Sequence, residues 1–376
     1  MKKAAMALVV AGLLAGCNSS SNNDSGVSLG EKGKAEHFDF STGDVHWVTV
    51  GDLMPTQMNQ GQLQNDYKLG RWQLEEEKRF EEFCETYGLR DSVEFFNDDS
   101  DFNDITSFEC KEPRDKDGVI SEDQHGTERI MSWINTVIVG PDGALYLTDG
   151  HHTFGRFHDM HDGGKDTNVL VRVQDNFSDS ASMDVFWEKM QETKNVYLYD
   201  NGQSIEPSAL PKDLGLQGED NERGLGNDDY RALVYYTRDI GWDKGESESI
   251  PFLEYYWAEE LRNKIKVEGM DNSIEDYVQV VLDASKYMSA LPEYYVLGDS
   301  EKTVAELGQI SELEFTNTQS VIEEIICEWD EEDAEDGKLK LGKLGWAFYN
   351  TGTNIEDFPA PCNSVDDYKE RYNLAR

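Results

Sequence analysis

The sequence predicts an α+β protein in two parts, a small α+β domain over residues 45–175 and a mainly helical domain over 176–376. Three observations carry that reading. Short apolar runs flank a strong turn at Gly140-Pro141-Asp142-Gly143. Stretches with apolar residues at helical spacing stand before and after them. Beyond Val173 the chain changes to long, aromatic-rich, helix-like segments.

Residues 1–44 precede the fold. Lys2 and Lys3, then the apolar run from Ala4 to Leu14, have the make-up of a signal peptide, too short for a permanent membrane helix. The run ends in Leu14-Ala15-Gly16-Cys17, which resembles the lipobox of bacterial lipoproteins. That resemblance implies a signal peptide over 1–16, lipidation of Cys17 and a protein anchored to a membrane of the cell envelope, on the periplasmic side or the cell surface. An ordinary secretory peptide that happens to contain a cysteine is the alternative. Residues 17–44, rich in Ser, Asn and Asp at their start, read as a flexible tether.

The elements follow in order. "VHWVTVGDL", 45–53, alternates as a strand does, and Met54-Pro55-Thr56 stops it. Residues 72–88 read as an amphipathic helix with Leu74, Phe80, Phe83 and Cys84 on one face. The acidic stretch 97–118 reads as a surface insertion. Thr136–Val139 and Ala144–Thr148 form a hairpin, Asp149-Gly150 breaks the return strand, and 152–161 winds as a helix with Phe154, Phe157 and His161 on neighbouring positions. Residues 168–173 give a further strand. Helices are expected over 181–195, 228–240, 251–266, 274–290 and 317–329, and the run 328–337 as a solvated acidic loop.

Charge limits the function classes. With 34 basic and 76 acidic residues the formal charge is −42. Such a surface repels polyanions, and no block of clustered Lys and Arg offsets it, so no strong nucleic-acid surface is expected. Export would permit disulfides among Cys84, Cys110, Cys327 and Cys362. The favoured pairing is Cys84–Cys110 with Cys327–Cys362, since each pair lies within one half of the chain; four free thiols are the alternative. No CxxC occurs.

"YLTDGHHTFGRFHDMHDGG", 146–164, holds four of the seven histidines. A strand–loop–helix presents unpaired N–H groups at the positive end of the helix dipole, where a phosphate is a natural guest. Gly150 allows close backbone approach. His151 and His152 are candidate acids or bases, and Asp149 could orient a histidine, cap the helix or hold a divalent cation, Mg or Mn. His158 and His161 share a helix face and could chelate with His151 or His152, but HxxH alone is weak, and a polar helix surface explains them as well. "DSDFNDITSFEC", from Asp99, fails as an EF-hand, with Asp104 at the glycine position and Cys110 at the final Glu.

"VTVGDLMPTQ", Gly61, Lys68, "ALYLTDGHHT", "SMDVFWEKM", "NDDYRALVYYTRDIGW" and "PFLEYYWAEELR" together resemble the ParB-like nuclease family of the ParB/sulfiredoxin superfamily, over about residues 45–265. The resemblance implies a small mixed sheet flanked by helices, with the superfamily's phosphate-binding turn at Asp149–Thr153. In ParB proteins, sulfiredoxins and the related free-serine kinases that turn usually ends in His-Arg or Arg-Arg. Here Thr153 stands where the arginine is expected, and a hydroxyl brings neither charge nor a bidentate fork. Arg156, one turn on, could substitute in part. Lys68 joins the phosphate-binding set, as do Thr56 and Gln57 from across the cleft, although a plain strand-stopping turn explains the last two equally. No cysteine stands where sulfiredoxins carry theirs.

Three functions compete. One is a phosphodiesterase or nuclease using His151, His152 and Asp149, with Gly150, Thr153 and Arg156 around the phosphate. Another is a lipid-anchored module that binds a nucleotide or other phosphate-bearing ligand without chemistry. The last is a structural envelope protein. An extracytoplasmic location argues against chromosome segregation and against cytosolic ATP or CTP as ligand.

Overall fold

A computed structural model describes residues 33–90, 92–111, 120–122, 128–218, 221–245, 250–267, 274–313, 315–326 and 341–352. The signal peptide, Cys17, Cys327, Cys362 and the acidic run 328–337 lie outside the described residues.

The centre is a mixed five-stranded sheet in the order β1-β10-β8-β9-β2. It comprises β1 (Val45–Thr49), β2 (Leu53–Met54), β8 (Thr136–Val139), β9 (Leu145–Leu147) and β10 (Asn168–Asn176). Smaller ladders pair β3 (Asn59–Gln60) with β13 (Gly226–Asn227), β4 (Val93–Phe95) with β5 (Glu109–Cys110), β6 (Ile120–Glu122) with β7 (Glu128–Ile130), and β11 (Tyr199–Asp200) with β12 (Gln203–Ser204).

The expected hairpin forms as β8 and β9. Gly143 takes φ +76°, and the Asp142 carboxylate accepts the Ala144 N–H at 3.1 Å and the Tyr146 hydroxyl at 2.9 Å, so the turn and its return strand lock together. Strand alternation gives the sheet two covered faces. Val137, Val139, Leu145 and Leu147 enter one core, with Phe80, Phe83, Phe154 and Phe157; Ile138, Ala144 and Tyr146 enter another, under Phe186 and Met190. The first core belongs to α1 (Gln62–Leu74), α2 (Glu76–Thr86) and α3 (His151–Asp159), the second to α4 (Met183–Glu192). Phe157 stacks flat on Phe83 with ring centroids 4.0 Å apart. Burying such a side chain stabilises the fold by roughly 1.5–3 kcal/mol.

Beyond α4 come α5 (Asp229–Tyr236), α6 (Leu253–Arg262), α7 (Ile274–Ala290), α8 (Phe315–Ile326) and α9 (Lys343–Asn350), around a core that holds Trp242 and Trp257 fully buried. Each indole N–H finds a backbone carbonyl, Trp242 that of Val234 and Trp257 that of Leu307, both at 2.9 Å. The two parts interlock. Besides the β3–β13 ladder, Gly70 of α1 lies so close to the Trp346 carbonyl of α9 that a Cβ would sit 2.0 Å from it.

Several expectations need correction. The strand over 45–53 is broken by a 3-10 turn at Val50–Asp52, because the Asp52 carboxylate takes the Thr49 N–H at 3.0 Å and its hydroxyl at 2.9 Å. The helix over 72–88 is two helices, and α1 begins ten residues earlier in a polar stretch whose tyrosine, leucine and tryptophan face α9 and the core. Leu74 leaves the apolar face and is exposed, while Phe80, Phe83 and Cys84 are fully buried. His161 lies past the end of α3. The tether over 17–44 ends early: Gly33 N–H bonds the Asp142 carbonyl, His37 Nδ1 lies 2.9 Å from the Gly143 carbonyl oxygen, and Phe40 stacks on His46. Among the described residues, no helix is long and apolar enough to cross a membrane.

Cys84 and Cys110 form a disulfide, 26 residues apart in sequence, tying α2 to β5. Closing a loop of that length stabilises the folded state by about 3.5 kcal/mol in the chain-entropy account. Reductant should therefore lower the denaturation midpoint, and a Cys84→Ala/Cys110→Ala variant should show a loss of that size without reductant. An unchanged midpoint would mean the bridge adds nothing.

Candidate functional site

β2 and β9 run parallel as neighbours, so their C-terminal ends open on the same edge of the sheet. From β2 the chain enters residues 55–61; from β9 it passes through Thr148-Asp149-Gly150 into α3. Gly150 takes φ +94°, and a Cβ there would lie 2.5 Å from the Asn135 side chain, so both backbone angle and packing demand glycine. Its free space is taken by Asn135. The Gly150 N–H bonds Asp149 Oδ1 at 2.8 Å, and the Phe154 N–H bonds the Gly150 carbonyl at 2.9 Å. The N–H groups of His151, His152 and Thr153 have no acceptor among the described residues. Three such donors at the positive end of a nine-residue helix favour an anion.

The two histidines fill another role. His151 Nε2 accepts the Thr56 N–H at 3.0 Å, and His152 Nε2 accepts the Gly61 N–H at 2.9 Å. A nitrogen that accepts an N–H bond carries a lone pair, so both rings are neutral with the proton on Nδ1. Burial holds the His151 pKa down to about 3. Burial, with the nearby guanidinium groups of Arg231 and Arg156, holds His152 well below the ordinary imidazole value. In this arrangement both side chains fasten the 55–61 loop to the first turn of α3.

Thr56 and Gln57 are buried within that loop. Thr56 Oγ1 donates to the Leu147 carbonyl at 2.6 Å, and Gln57 Nε2 donates to the Asn59 carbonyl at 2.8 Å. Thr56 thus ties the loop to the end of β9, and Gln57 braces the loop itself. Arg156 reaches back one turn, its NH2 3.1 Å from Thr153 Oγ1, but it also bonds Asn65 and forms a short ion pair with Glu82. Its guanidinium is thus held by Glu82 and Asn65. Lys68 lies on the other side of that carboxylate, 3.1 Å from Glu82 Oε2, away from the turn. Burial pushes the Glu82 carboxyl up, and Lys68 and Arg156 more than offset this, holding it at about 2. His158 bridges Asp159 Oδ1 at 2.7 Å and Asp213 Oδ1 at 3.1 Å, while His161 is exposed beside Asp162, so the two rings serve separate partners.

Sequence reasoning missed a cationic group contributed by the helical part. Arg231 of α5 and Arg238 share Glu254 Oε1, at 3.4 and 3.2 Å. Arg231 lies over the Tyr255 ring, Arg238 over Tyr235 and Trp242. The Nε atoms of both are buried without an acceptor among the described residues. Burial pushes the Glu254 carboxyl up, but Arg231, Lys244 and Arg238 overcome this and hold it at about 2. The group's field reaches the turn, since Arg231 and Arg238 depress His152 and Lys244 draws Asp149 down. The available signal was the seven-residue spacing of Arg231 and Arg238, two turns apart on one helical face in an aromatic stretch.

Asp149 keeps solvent access at the rim, yet protein atoms crowd its carboxylate. That desolvation leaves its pKa above the ordinary value despite the opposing pull of the Gly150 N–H and Lys244. A divalent cation does not fit this donor set. Asp149 is the sole carboxylate on the turn, both Nε2 lone pairs are engaged, and among the described residues no group of three His, Cys, Asp or Glu is placed to hold a metal.

The sequence model of the family described as Putative ParB-like nuclease matches residues 46–263, more than half of the chain, and spans both the α3 turn and the arginine pair. The chain belongs to the ParB-like nuclease family. Among solved structures it is similar to protein Atu1540 from Agrobacterium tumefaciens, at 19% identity and a TM-score of 0.40, over 66% of this chain and 93% of that one. No match is found among curated proteins.

His151 generates a pH prediction. Its folded pKa lies below the unfolded value of 6.5, so acid protonates the unfolded chain first. The stability it contributes is complete above pH 6.5 and falls as pH drops toward 3. His151→Gln should destabilise the protein by about 1–3 kcal/mol at pH 7.5. It should also flatten the slope of stability against pH between 6 and 4 by up to about 1.4 kcal/mol per unit. Parallel slopes in denaturant titrations of both proteins would refute the neutral-ring assignment.

Proposed function

We propose that the protein binds a phosphate ester at the N-terminus of α3 and acts on phosphodiesters in the manner of a nuclease. The observation that carries this reading is the meeting of two donor sets that are incompletely satisfied: the N–H groups of residues 151–153, and the Arg231–Arg238 pair beside them. On a chain with formal charge −42, retaining a partly buried cationic group at a helix N-terminus favours a local anionic guest. In hydrolysis, water attacks phosphorus and Asp149 takes its proton, while the P–O bond to one ester group breaks and the departing alkoxide is protonated by solvent. The raised pKa makes this carboxylate a stronger base than an ordinary one. The amides stabilise the charge that grows on the phosphoryl oxygens. His151 and His152 act as positioning residues.

A second reading, phospho-ligand binding without turnover, is favoured by the engagement of both imidazole lone pairs. One experiment separates the two. The unmodified chain, Asp149→Asn and Arg238→Gln are assayed against bis-p-nitrophenyl phosphate and titrated with a nucleoside monophosphate. The nuclease reading expects turnover, a loss of at least about 100-fold in Asp149→Asn with binding retained, and roughly tenfold weaker binding in Arg238→Gln. Binding without turnover selects the second reading. Neither binding nor turnover ends both.

We further propose export and lipid anchoring through Cys17, supported by the Lys2-Lys3, apolar run and Leu14–Cys17 sequence. Radiolabelled palmitate should be incorporated by the full chain expressed in a bacterium and not by Cys17→Ser. Equal labelling of both would refute it.

A further inference from the structure

The C-terminal end of α3 holds a charged cluster that the phosphate reading does not use. His158 stands in the last turn of the helix, where the dipole favours a cation. Its Nδ1 lies 2.7 Å from Asp159 Oδ1, and its Nε2 lies 3.1 Å from Asp213 Oδ1. Asp159 belongs to the same helix; Asp213 belongs to the loop that leads into β13. That loop is closed at its base. The Lys212 N–H bonds the Arg223 carbonyl at 2.9 Å, the Leu225 N–H the Gly215 carbonyl at 2.8 Å, and the Gln217 N–H the Leu225 carbonyl at 2.7 Å. The base is pressed onto the histidine, since a Cβ on Gly215 would lie 2.2 Å from His158 Nδ1. Asp159 Oδ2 accepts the Leu216 N–H at 2.9 Å. Asp213 Oδ1 accepts the Gly215 N–H at 2.9 Å and Asn221 Nδ2 at 3.2 Å, and its Oδ2 meets Lys165 Nζ at 2.5 Å.

The protonation state of the ring decides whether these contacts attract. A neutral imidazole carries one N–H. Placed on Nδ1, it serves Asp159 and turns the Nε2 lone pair toward the Asp213 carboxylate; placed on Nε2, it does the reverse. The imidazolium attracts both carboxylates, and His158 and Lys165 then balance Asp159 and Asp213. Without the ring proton, two carboxylates share one ammonium, and the Asp213 side chain is 5% exposed, where water screens poorly. Among the described residues the charged groups acting on the ring are Asp159, Asp213 and Lys165, and the Asp66 carboxyl of α1 acts on Asp159 from behind. The Asp159 hydrogen bond raises the His158 pKa above the ordinary value; burial and Lys165 oppose it, and the Asp213 charge adds to it. Burial pushes the Asp213 carboxyl up, but Lys165, the Gly215 N–H and His158 bring it below the ordinary value, which leaves the proton on the ring.

We propose that His158 is a pH-sensitive clasp: as imidazolium it holds the base of the 212–225 loop on α3, and as neutral imidazole it loosens that base. Lys165 and the Leu216 N–H stay engaged, so the loop loosens without leaving. A pKa raised by folding means that the contact is complete below pH 6.5, the ordinary value, and is lost as pH rises through the folded value. The segment that loosens runs directly into β13, which pairs with β3, and then into Asp228, the N-cap of α5. The clasp does not rest on the phosphate reading, and its test uses no ligand.

The full chain, with histidines labelled at Cε1, is titrated by NMR between about pH 5 and 10. The His158 resonance is assigned by its absence in His158→Gln. It should titrate above pH 6.5, and its midpoint should fall in Asp213→Asn. Hydrogen exchange, corrected for the intrinsic rate, is read at the Leu216, Gln217 and Leu225 amides. Their protection should drop at least about threefold through that same titration and stay flat in His158→Gln. Should His158→Gln fail to fold, Asp213→Asn assigns the resonance by its moved midpoint and should itself show flat protection. Should neither variant fold, exchange in the unmodified chain across the same pH range decides alone. The clasp is overturned when His158 titrates at or below pH 6.5, or when protection at these amides in the unmodified chain does not change with rising pH.

Discussion

Two imidazole lone pairs hold this site together. By accepting the N–H groups of Thr56 and Gly61, His151 and His152 fix the loop after β2 to the helix after β9. The parallel pairing of β2 and β9 brings the two connections to one edge, but pairing alone leaves the backbone of residues 55–61 without partners. The rings supply acceptors that a loop of this length cannot provide for itself. Loop 55–61 then carries β3, which pairs with β13 and so leads into α5 and Arg231. Protonating either Nε2 would remove an acceptor and bury a charge, which is why burial and neighbouring guanidinium groups keep both rings neutral.

Much of the sheet was legible because its signals are local. The turn at Gly140–Gly143 sets the β8–β9 hairpin, and Asp149-Gly150 ends it where φ must turn positive. The helix cores of α3 through α8 follow from apolar spacing, with ends shifted by a few residues. What local signals could not show was pairing at a distance. The start of α1 reads as polar because its buried face meets α9, some 280 residues later, where the Asp66 carboxylate takes Asn350 Nδ2 at 2.8 Å. α9 itself, eight residues long with two glycines near its start, carried too little periodicity to be noticed.

The site was legible in its backbone and illegible in its side chains. The strand–loop–helix pattern of the DGHH stretch located the turn, the family resemblance pointed to the same residues, and Gly150 was identified by its own chemistry. The roles of His151 and His152 depend on which backbone groups face them, and these lie more than ninety residues away. Arg231 and Arg238 came into view only through their shared carboxylate, Glu254, which has no sequence neighbourhood with either the turn or Arg231. Tertiary partners decide whether a cation is spent or available, and spacing cannot report that.

The missing arginine at Thr153 makes this distinction concrete. Arg156 reaches the Thr153 hydroxyl and superficially replaces the expected side chain. Yet Arg156 is buried, with its guanidinium held by Glu82 and Asn65, so few of its N–H groups are left to grip a guest. Glu254, by contrast, faces two arginines and a nearby lysine, so a net positive charge survives around it. Positive potential at the turn thus comes from the helical part as well as from Arg156 of α3. An arrangement assembled this way needs both parts of the chain in register, and the β3–β13 ladder and the α1–α9 contact are the elements that hold that register.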